Sequence, residues 1–216
     1  RRSDDGLDPF NAYSASKVAA WAFARAAYNG WGLPIVWVRP FQVYGPGQHA
    51  RALIPAAIDA ALRGEDFPTT GGQQQRDFIF IDDVVQGLIA AGRAPCVEGR
   101  VLDLATGQLT GVLEVLEKIW HLTDAQGRIL TGARPYRPGE APAIPGNYRR
   151  TRLLTGWAAA VSLDEGLQTT IDAARTSFSD KLRDRESLER LDTSSGLDTS
   201  SGLDASSGLV EEDNGT

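Results

Sequence analysis

The amino-acid sequence predicts an α/β fold, because short β-branched runs alternate with segments of helical periodicity. Residues 34–38 (PIVWV) form an apolar run that is typical of a strand buried on both faces of a parallel sheet. Similar short runs predict strands over residues 78–81 and 101–104. Residues 13–29 are rich in Ala, lack an internal Gly or Pro and precede Gly30, so we expect a helix there.

This first helix has an unusual distribution of side chains. Residues 18–28 are apolar on nearly every side. A helix of this kind is normally buried on more than one face. We therefore expect it to pack on a sheet and also on a second surface, such as a partner subunit.

Capping residues and apolar spacing predict the later helices. Asp82 and Asp83 are expected to cap one helix, and Ser162 with Glu165 has the pattern of another helix start. These helices are expected over residues 53–62, 82–91, 112–122 and 163–177, and the charged residues 180–190 are compatible with an extension of the last one.

The C-terminal end differs in composition from the rest of the 216-residue chain. Residues 180–216 hold ten acidic and four basic residues, which accounts for the whole net charge of −6. Residues 1–179 carry eighteen of each, so they offer no basic surface for nucleic acid. The hexad LDTSSG at 191–196 recurs at 197–202, and such polar repeats cannot bury a core. We therefore expect one folded region over 1–179 and a disordered acidic tail over 180–216.

Other residue types argue against several classes of protein. The single cysteine, Cys96, allows no disulfide within the chain, which suits the cytoplasm. His49 and His121 lack neighbouring ligands at metal-binding spacing, so no metal is expected. No apolar run reaches the ~20 residues that span a bilayer, so no membrane partner is expected. The chain has no methionine, even at position 1, which indicates processing, cleavage or a longer parent protein.

The first candidate catalytic pair is Tyr13 and Lys17 in the sequence YSASK. Residues at i and i+4 share a face of a helix, so the phenol and the ammonium can converge on one site. A phenol is too weakly acidic to act as a base at neutral pH, but a nearby cation favours the phenolate. The pair therefore fits an acid–base that removes a proton from a hydroxyl as hydride leaves its carbon. Taken alone, two surface residues at chance spacing are the alternative.

Six further blocks follow this pair in order. They are residues 39–48 (RPFQVYGPGQ), 53–55 (LIP), 75–84 (QRDFIFIDDV), 137–140 (RPGE), 155–157 (TGW) and 162–167 (SLDEGL). With these blocks, residues 8–178 resemble the C-terminal portion of the NAD-dependent epimerase/dehydratase family, a branch of the extended short-chain dehydrogenases/reductases. The resemblance implies the C-terminal part of a Rossmann-type parallel-sheet domain, interleaved with a small α/β substrate-binding lobe.

The same resemblance implies a cofactor, NAD or NADP, and a nucleoside-diphosphate sugar as substrate. Tyr13 and Lys17 then match the family's catalytic pair, and both also match cofactor-binding residues. Further implied cofactor neighbours are Pro40, Phe41 and Val43. The implied substrate contacts are Gln42, Arg76, Arg137 and Glu140. Gln42 stands where the family commonly has Asn. Arg76 and Arg137 match arginines near the nucleotide diphosphate.

Alternatives stay open at this point. Arg76 has a second possible partner in Asp77, which follows it in the chain. No Gly-rich dinucleotide-binding turn follows a strand, so a catalytically incompetent fragment or a sugar-nucleotide-binding module is the alternative function. A non-sugar alcohol is disfavoured by the two arginines. The sequence does not distinguish between epimerase, dehydratase, reductase and decarboxylase chemistry. The full-length protein is expected to be a homodimer.

Overall fold

The computed structural model describes residue 9, residues 11–136 and residues 145–194. The chain divides into two compact units, Arg1–Arg175 and Thr176–Thr216. The core and the candidate site lie in the first unit. The second unit contains the C-terminal part of the last helix, and the repeated hexads from residue 195 onward lie outside the described residues.

Helices and short strands alternate along the chain. The helices are α1 (Ala12–Trp31), α2 (Leu53–Arg63), α3 (Ile81–Arg93), α4 (Val112–Thr123), α5 (Tyr148–Thr155) and α6 (Leu163–Ser194). The strands are β1 (Trp37–Pro40), β2 (Gln42–Tyr44), β3 (Phe67–Pro68), β4 (Gln75–Arg76), β5 (Phe78–Phe80), β6 (Val101–Leu104), β7 (Thr110–Gly111) and β8 (Ile129–Leu130).

The strands of the described residues pair two by two. β1 lies parallel to β6, β2 to β5 and β3 to β8, whereas β4 and β7 are antiparallel. Each parallel pair is joined through a crossover that contains at least one helix, as parallel pairing requires. The predicted α/β class with parallel strands is confirmed.

β5 separates two apolar clusters because its side chains alternate between its faces. Phe78 and Phe80 contribute to a larger cluster, and Ile79 contributes to a smaller one. The larger cluster also contains buried side chains of α2, α4 and α6, among them Ile58, Leu116, Leu167 and Ile171. The smaller cluster contains Val84, Leu104 and Trp157.

α1 begins with a capping box and ends in a left-handed glycine. The Asn11 side chain accepts from the Ser14 N–H at 2.8 Å, and the Ser14 hydroxyl accepts from the Asn11 N–H at 3.1 Å. The helix continues through Gly30, and Gly32 ends it with φ of 65°. The sequence prediction placed this end two residues too early, because glycine is tolerated inside a helix when tertiary contacts hold the last turn.

Within the described residues, α1 is covered on one face, and its predicted packing on a second surface such as a partner subunit stays a prediction. Ala27 is buried, but Phe23 and Trp31 are 77% and 79% exposed. Contacts reach the helix from one side, where the Arg25 guanidinium donates to the Gly99 carbonyl at 2.8 Å. Tyr28 also packs on the Gly99 backbone. One face of α1 is therefore partly covered and the opposite face is open.

The predicted strand 34–38 lies three residues later, at β1. Trp37 is the first residue in register with β6, opposite Val101. Residues 34–36 lie beside the turn that precedes β6, so they have no extended partner segment there. β1 is also half-buried to exposed, and not buried on both faces as predicted, because within the described residues it pairs along one edge.

α3 begins differently from the prediction. Phe80 is its N-cap, and neither Asp82 nor Asp83 caps it. The Asp83 carboxylate is buried and accepts from the backbone N–H groups of Ala160 and Val161, each at 3.0 Å. Asp83 therefore ties α3 to a segment far along the chain.

α5 and α6 follow in the last third of the first unit. The Thr151 hydroxyl of α5 donates to the Asp103 carbonyl at 2.8 Å and accepts from the Asp103 N–H at 3.0 Å. The predicted start of α6 is confirmed, since Glu165 accepts from the Ser162 N–H at 3.0 Å and the Ser162 hydroxyl accepts from the Glu165 N–H at 3.2 Å.

Candidate functional site

Tyr13 and Lys17 lie on the first two turns of α1, and their side chains are together. The Lys17 Nζ atom is 5.3 Å from the centroid of the Tyr13 ring, within the range of a cation–π contact. Tyr13 is 71% exposed. Within the described part of the chain, neither the Tyr13 hydroxyl nor the Lys17 ammonium makes a hydrogen bond to another group. Neither polar group is thus engaged by the described residues.

The predicted cofactor and substrate residues of segment 40–43 differ in exposure. Pro40 and Gln42 are exposed, whereas Phe41 and Val43 are partly buried. The Phe41 N–H donates to the Leu104 carbonyl at 3.0 Å, which continues the β1–β6 pairing by one residue. Val43 packs against the smaller apolar cluster, so at least part of its role is in the core.

Arg76 lies at the end of β4, opposite Thr110 of β7. Its Nη1 atom donates to the Gln75 carbonyl at 2.7 Å, and the residue is half-buried. Arg137 and Glu140, the other predicted substrate contacts, lie outside the described residues.

Asp77, the alternative partner of Arg76, is buried and accepts hydrogen bonds on both carboxylate oxygens. Oδ1 accepts from the Thr106 N–H at 2.9 Å and from the Thr106 hydroxyl at 2.7 Å. Oδ2 accepts from the N–H groups of Gly107 at 2.9 Å and Gly146 at 3.2 Å. These donors are 29 to 69 residues away from Asp77 along the chain, so no local pattern of sequence predicts them.

Gly146 lies directly against Phe41, one of the predicted cofactor neighbours, which are together called the cofactor wall (Pro40, Phe41 and Val43). A Cβ atom at this position would lie 2.9 Å from the Phe41 ring and would also collide with Ala105. The next residue, Asn147, donates its N–H to the Asp103 carboxylate at 3.0 Å, and Asp103 also pairs with the Arg39 Nε atom at 2.7 Å. Glycine is required at 146 because the Phe41 ring and the backbone approach so closely.

A second tyrosine of the family-like blocks, Tyr44, has the opposite environment to Tyr13. It is buried, and its hydroxyl donates to the Leu163 carbonyl at 3.3 Å. Burial raises the pKa of Tyr44, and the carboxylates of Asp83 and Asp164 raise it further. Tyr44 therefore stays a neutral hydrogen-bond donor in the core, whereas Tyr13 is exposed.

The described residues contain no group of three or more His, Cys, Asp or Glu side chains arranged to hold a metal ion. None of the helices in the described part of the chain combines the length and apolarity needed to cross a membrane.

A family model described as NAD dependent epimerase/dehydratase family matches residues 2–104. Residues 2–104 of the chain therefore match this family. The matched range includes Tyr13, Lys17, segment 40–43 and Arg76. The resemblance inferred from the sequence blocks is confirmed.

Several curated relatives are similar in sequence to most of this chain. The dTDP-glucose 4,6-dehydratase of Xanthomonas campestris pv. campestris is 29% identical over 76% of this chain and 49% of its own length. The UDP-glucose 4-epimerase of Mycolicibacterium smegmatis is 31% identical over 80% of this chain and 55% of its own length. The chain thus spans about half the length of the curated relatives that it matches.

Solved structures of the family share the fold. MoeE5, solved in complex with UDP-glucuronic acid and NAD, is 34% identical with a TM-score of 0.74. That similarity covers 81% of this chain and 59% of MoeE5. It supports the assignment of the described α/β unit to a Rossmann-type architecture.

Proposed function

We propose that the protein to which this chain belongs carries out NAD(P)-dependent redox chemistry of the epimerase/dehydratase type on a nucleoside-diphosphate sugar. The observation that carries the proposal is the exposed Tyr13 phenol with the Lys17 ammonium over its ring. The names of the relatives, which are nucleotide-sugar dehydratases and epimerases, support the substrate class.

The chemistry of these residues suits the nicotinamide end of the cofactor. Tyr13 and Lys17 offer a hydroxyl and an ammonium that are not engaged by the described residues, and Pro40 and Phe41 supply an apolar wall. An ammonium suits the hydroxyls of a ribose, and an aromatic and a proline ring suit the face of a nicotinamide. Bound NAD or NADP supplies the hydride acceptor.

In the proposed reaction, Tyr13 takes the proton from a sugar hydroxyl, and the carbon that bears this hydroxyl is oxidised to a carbonyl carbon by loss of hydride. Lys17 places a positive charge next to the phenolate, which stabilises the deprotonated form. Arg76 binds the diphosphate, because a guanidinium fork matches phosphate oxygens. Gln42 offers an exposed amide to the sugar, and Arg137 with Glu140 would complete the nucleotide contacts.

The experiment measures turnover of UDP-glucose and dTDP-glucose with NAD, and binding of each ligand by calorimetry, with the 216-residue chain. Tyr13→Phe should lower kcat by about 10²–10⁴-fold, the usual contribution of an acid–base group. Tyr28→Phe is the matched control, since Tyr28 lies on the same helix but packs on Gly99.

Undiminished turnover in Tyr13→Phe would contradict the proposed role. A chain that binds the nucleotide sugar but neither binds NAD nor turns over would support the alternative of a sugar-nucleotide-binding module. A homodimer of the full-length protein and its location in the cytoplasm belong to the same proposal. Sedimentation velocity and cell fractionation test them, and a monomer or a membrane-bound protein would contradict them.

A further inference from the structure

Asp77 connects three separate segments through one buried carboxylate. It accepts four hydrogen bonds from Thr106, Gly107 and Gly146. Its backbone carbonyl accepts a fifth, from the Gln42 N–H at 2.9 Å. A carboxylate that accepts from backbone N–H groups on both oxygens has no equal substitute, because an amide places a donor against at least one of those donors.

Arg76 is held from two sides by this arrangement. On one side, its strand pairs with β7, where Arg76 lies opposite Thr110. On the other side, the neighbouring Asp77 side chain bonds the turn at residues 106–107, which leads into β7. The two connections close a ring of backbone that includes Arg76, so its Cα position depends on the Asp77 carboxylate.

Asp77 also holds the segment that contains the cofactor wall. Gln42 bonds the Asp77 carbonyl, and Gly146 bonds the Asp77 carboxylate while it lies under the Phe41 ring. Gln42 is therefore one hydrogen bond from Asp77, Arg76 is one peptide bond away, and Phe41 is connected to Asp77 through Gly146.

We infer that Asp77 is a positioning residue that sets Arg76 relative to Phe41 and Gln42, and so aligns the diphosphate contact with the redox centre. The inference rests on the proposed function for the ligand class. The chemistry of the site requires such alignment, because a displacement of about 1 Å at a reacting centre costs about 100-fold in rate.

The test is a double-mutant cycle on the 216-residue chain, with UDP-glucose and dTDP-glucose as calorimetric probes. Arg76→Gln should weaken binding by about 10- to 100-fold, and Asp77→Asn by about tenfold, the range for hydrogen bonds to charged groups. If Asp77 acts through Arg76, the double variant should bind no more than about threefold worse than Arg76→Gln alone.

Asp83→Asn is the matched control, since Asp83 is also a buried carboxylate that accepts from two backbone N–H groups. It should lower Tm as Asp77→Asn does, yet change the Kd of either probe by less than about twofold, because it does not contact the site. Two results would overturn the inference. One is a loss of affinity in the double variant equal to the product of the losses in Asp77→Asn and Arg76→Gln. The other is a loss of affinity in Asp83→Asn as large as that in Asp77→Asn.

A ligand-free measurement separates this inference from the proposed function. Amide hydrogen exchange at Gln42, Gly107 and Gly146 should quicken in Asp77→Asn but not in Asp83→Asn, at temperatures equally far below each Tm. Unchanged exchange overturns the inference even if the probes bind. Absence of probe binding by the wild type, together with the expected exchange, counts against the proposed function and leaves the positioning by Asp77 supported.

If Asp77→Asn does not fold, Thr106→Val is the milder variant. It removes the hydroxyl that donates to Asp77 at 2.7 Å and keeps the side-chain shape. The same cycle with Arg76→Gln then applies, with the same expected lack of additivity, and additive losses again overturn the inference.

Discussion

Gly87 lies in α3 where this helix packs over β6, and its replacement by alanine tests the packing of the smaller apolar cluster. A Cβ atom at this position would lie 2.6 Å from Leu104 Cδ2 and 3.1 Å from Trp157 Cε2. Leu104 is fully buried, and Trp157 is 9% exposed. Neither side chain can move into solvent to make room, so Gly87→Ala forces the helix or the cluster to shift.

Two opposing effects decide the sign of the change. Alanine in place of glycine stabilises a helix interior by about 1 kcal/mol. Overpacking of a filled core costs about 1–3 kcal/mol. With a contact of 2.6 Å against the buried Leu104, the cost should prevail and leave a net loss of about 1 kcal/mol in the free energy of unfolding.

The matched control is Gly92→Ala on the same helix, where a Cβ atom meets nothing within 4 Å. This variant should gain about 0.5–1 kcal/mol, because only the helix propensity changes. Thermal unfolding followed by circular dichroism should therefore place Gly87→Ala about 3–8 °C below Gly92→Ala, at ~2–4 °C per kcal/mol. A Tm for Gly87→Ala at or above that of Gly92→Ala would refute the packing argument.

Two further predictions concern buried and capping carboxylates. Asp83→Ala should lower the free energy of unfolding by about 2–4 kcal/mol in urea denaturation, because it leaves two N–H groups of segment 160–161 without an acceptor. Asp82→Ala, on the exposed side, should change it by less than about 0.5 kcal/mol, and an equal effect of both variants would contradict the prediction. Hydrogen bonds from the Ser162 hydroxyl and N–H hold the pKa of Glu165 below its usual range, so its stabilising effect is complete above the unfolded value and lost as pH falls through the folded one. Glu165→Gln should therefore lower Tm at about pH 7, and this difference in Tm should shrink as pH falls below about 4, the ordinary range of a Glu carboxyl; a difference that stays constant throughout acid titration would rule this out.

The helices were the most predictable part of the fold. α2 ends at Gly64 and α4 spans nearly the predicted residues, because apolar spacing and a left-handed C-terminal residue are local signals. α1 shows the limit of such signals. Its apolar composition indicated burial on several faces, whereas coverage depends on which other segments pack against it, and composition does not specify those segments.

The candidate site was predictable where its residues lie close together in the sequence. Tyr13 and Lys17 are four positions apart, so the helix alone brings them together. Asp77 and Asp83 are different, because each carboxylate binds backbone donors that are up to 69 and 78 residues away. Their side chains were therefore expected to pair or cap locally, and only the folded chain places the true donors beside them.

The hydroxyl of Thr151 has a consequence for how this molecule meets other chains. β6 pairs with β1 on one side, where Leu104 accepts from Phe41, so the N–H and C=O of Asp103 face the opposite edge. An exposed strand edge is a template for pairing with a strand of another molecule. Thr151 occupies both backbone groups with one side chain, and α5 lies along β6. With these two groups already bonded to Thr151, the Asp103 position is closed to an incoming strand of another molecule, which should disfavour edge-to-edge pairing there.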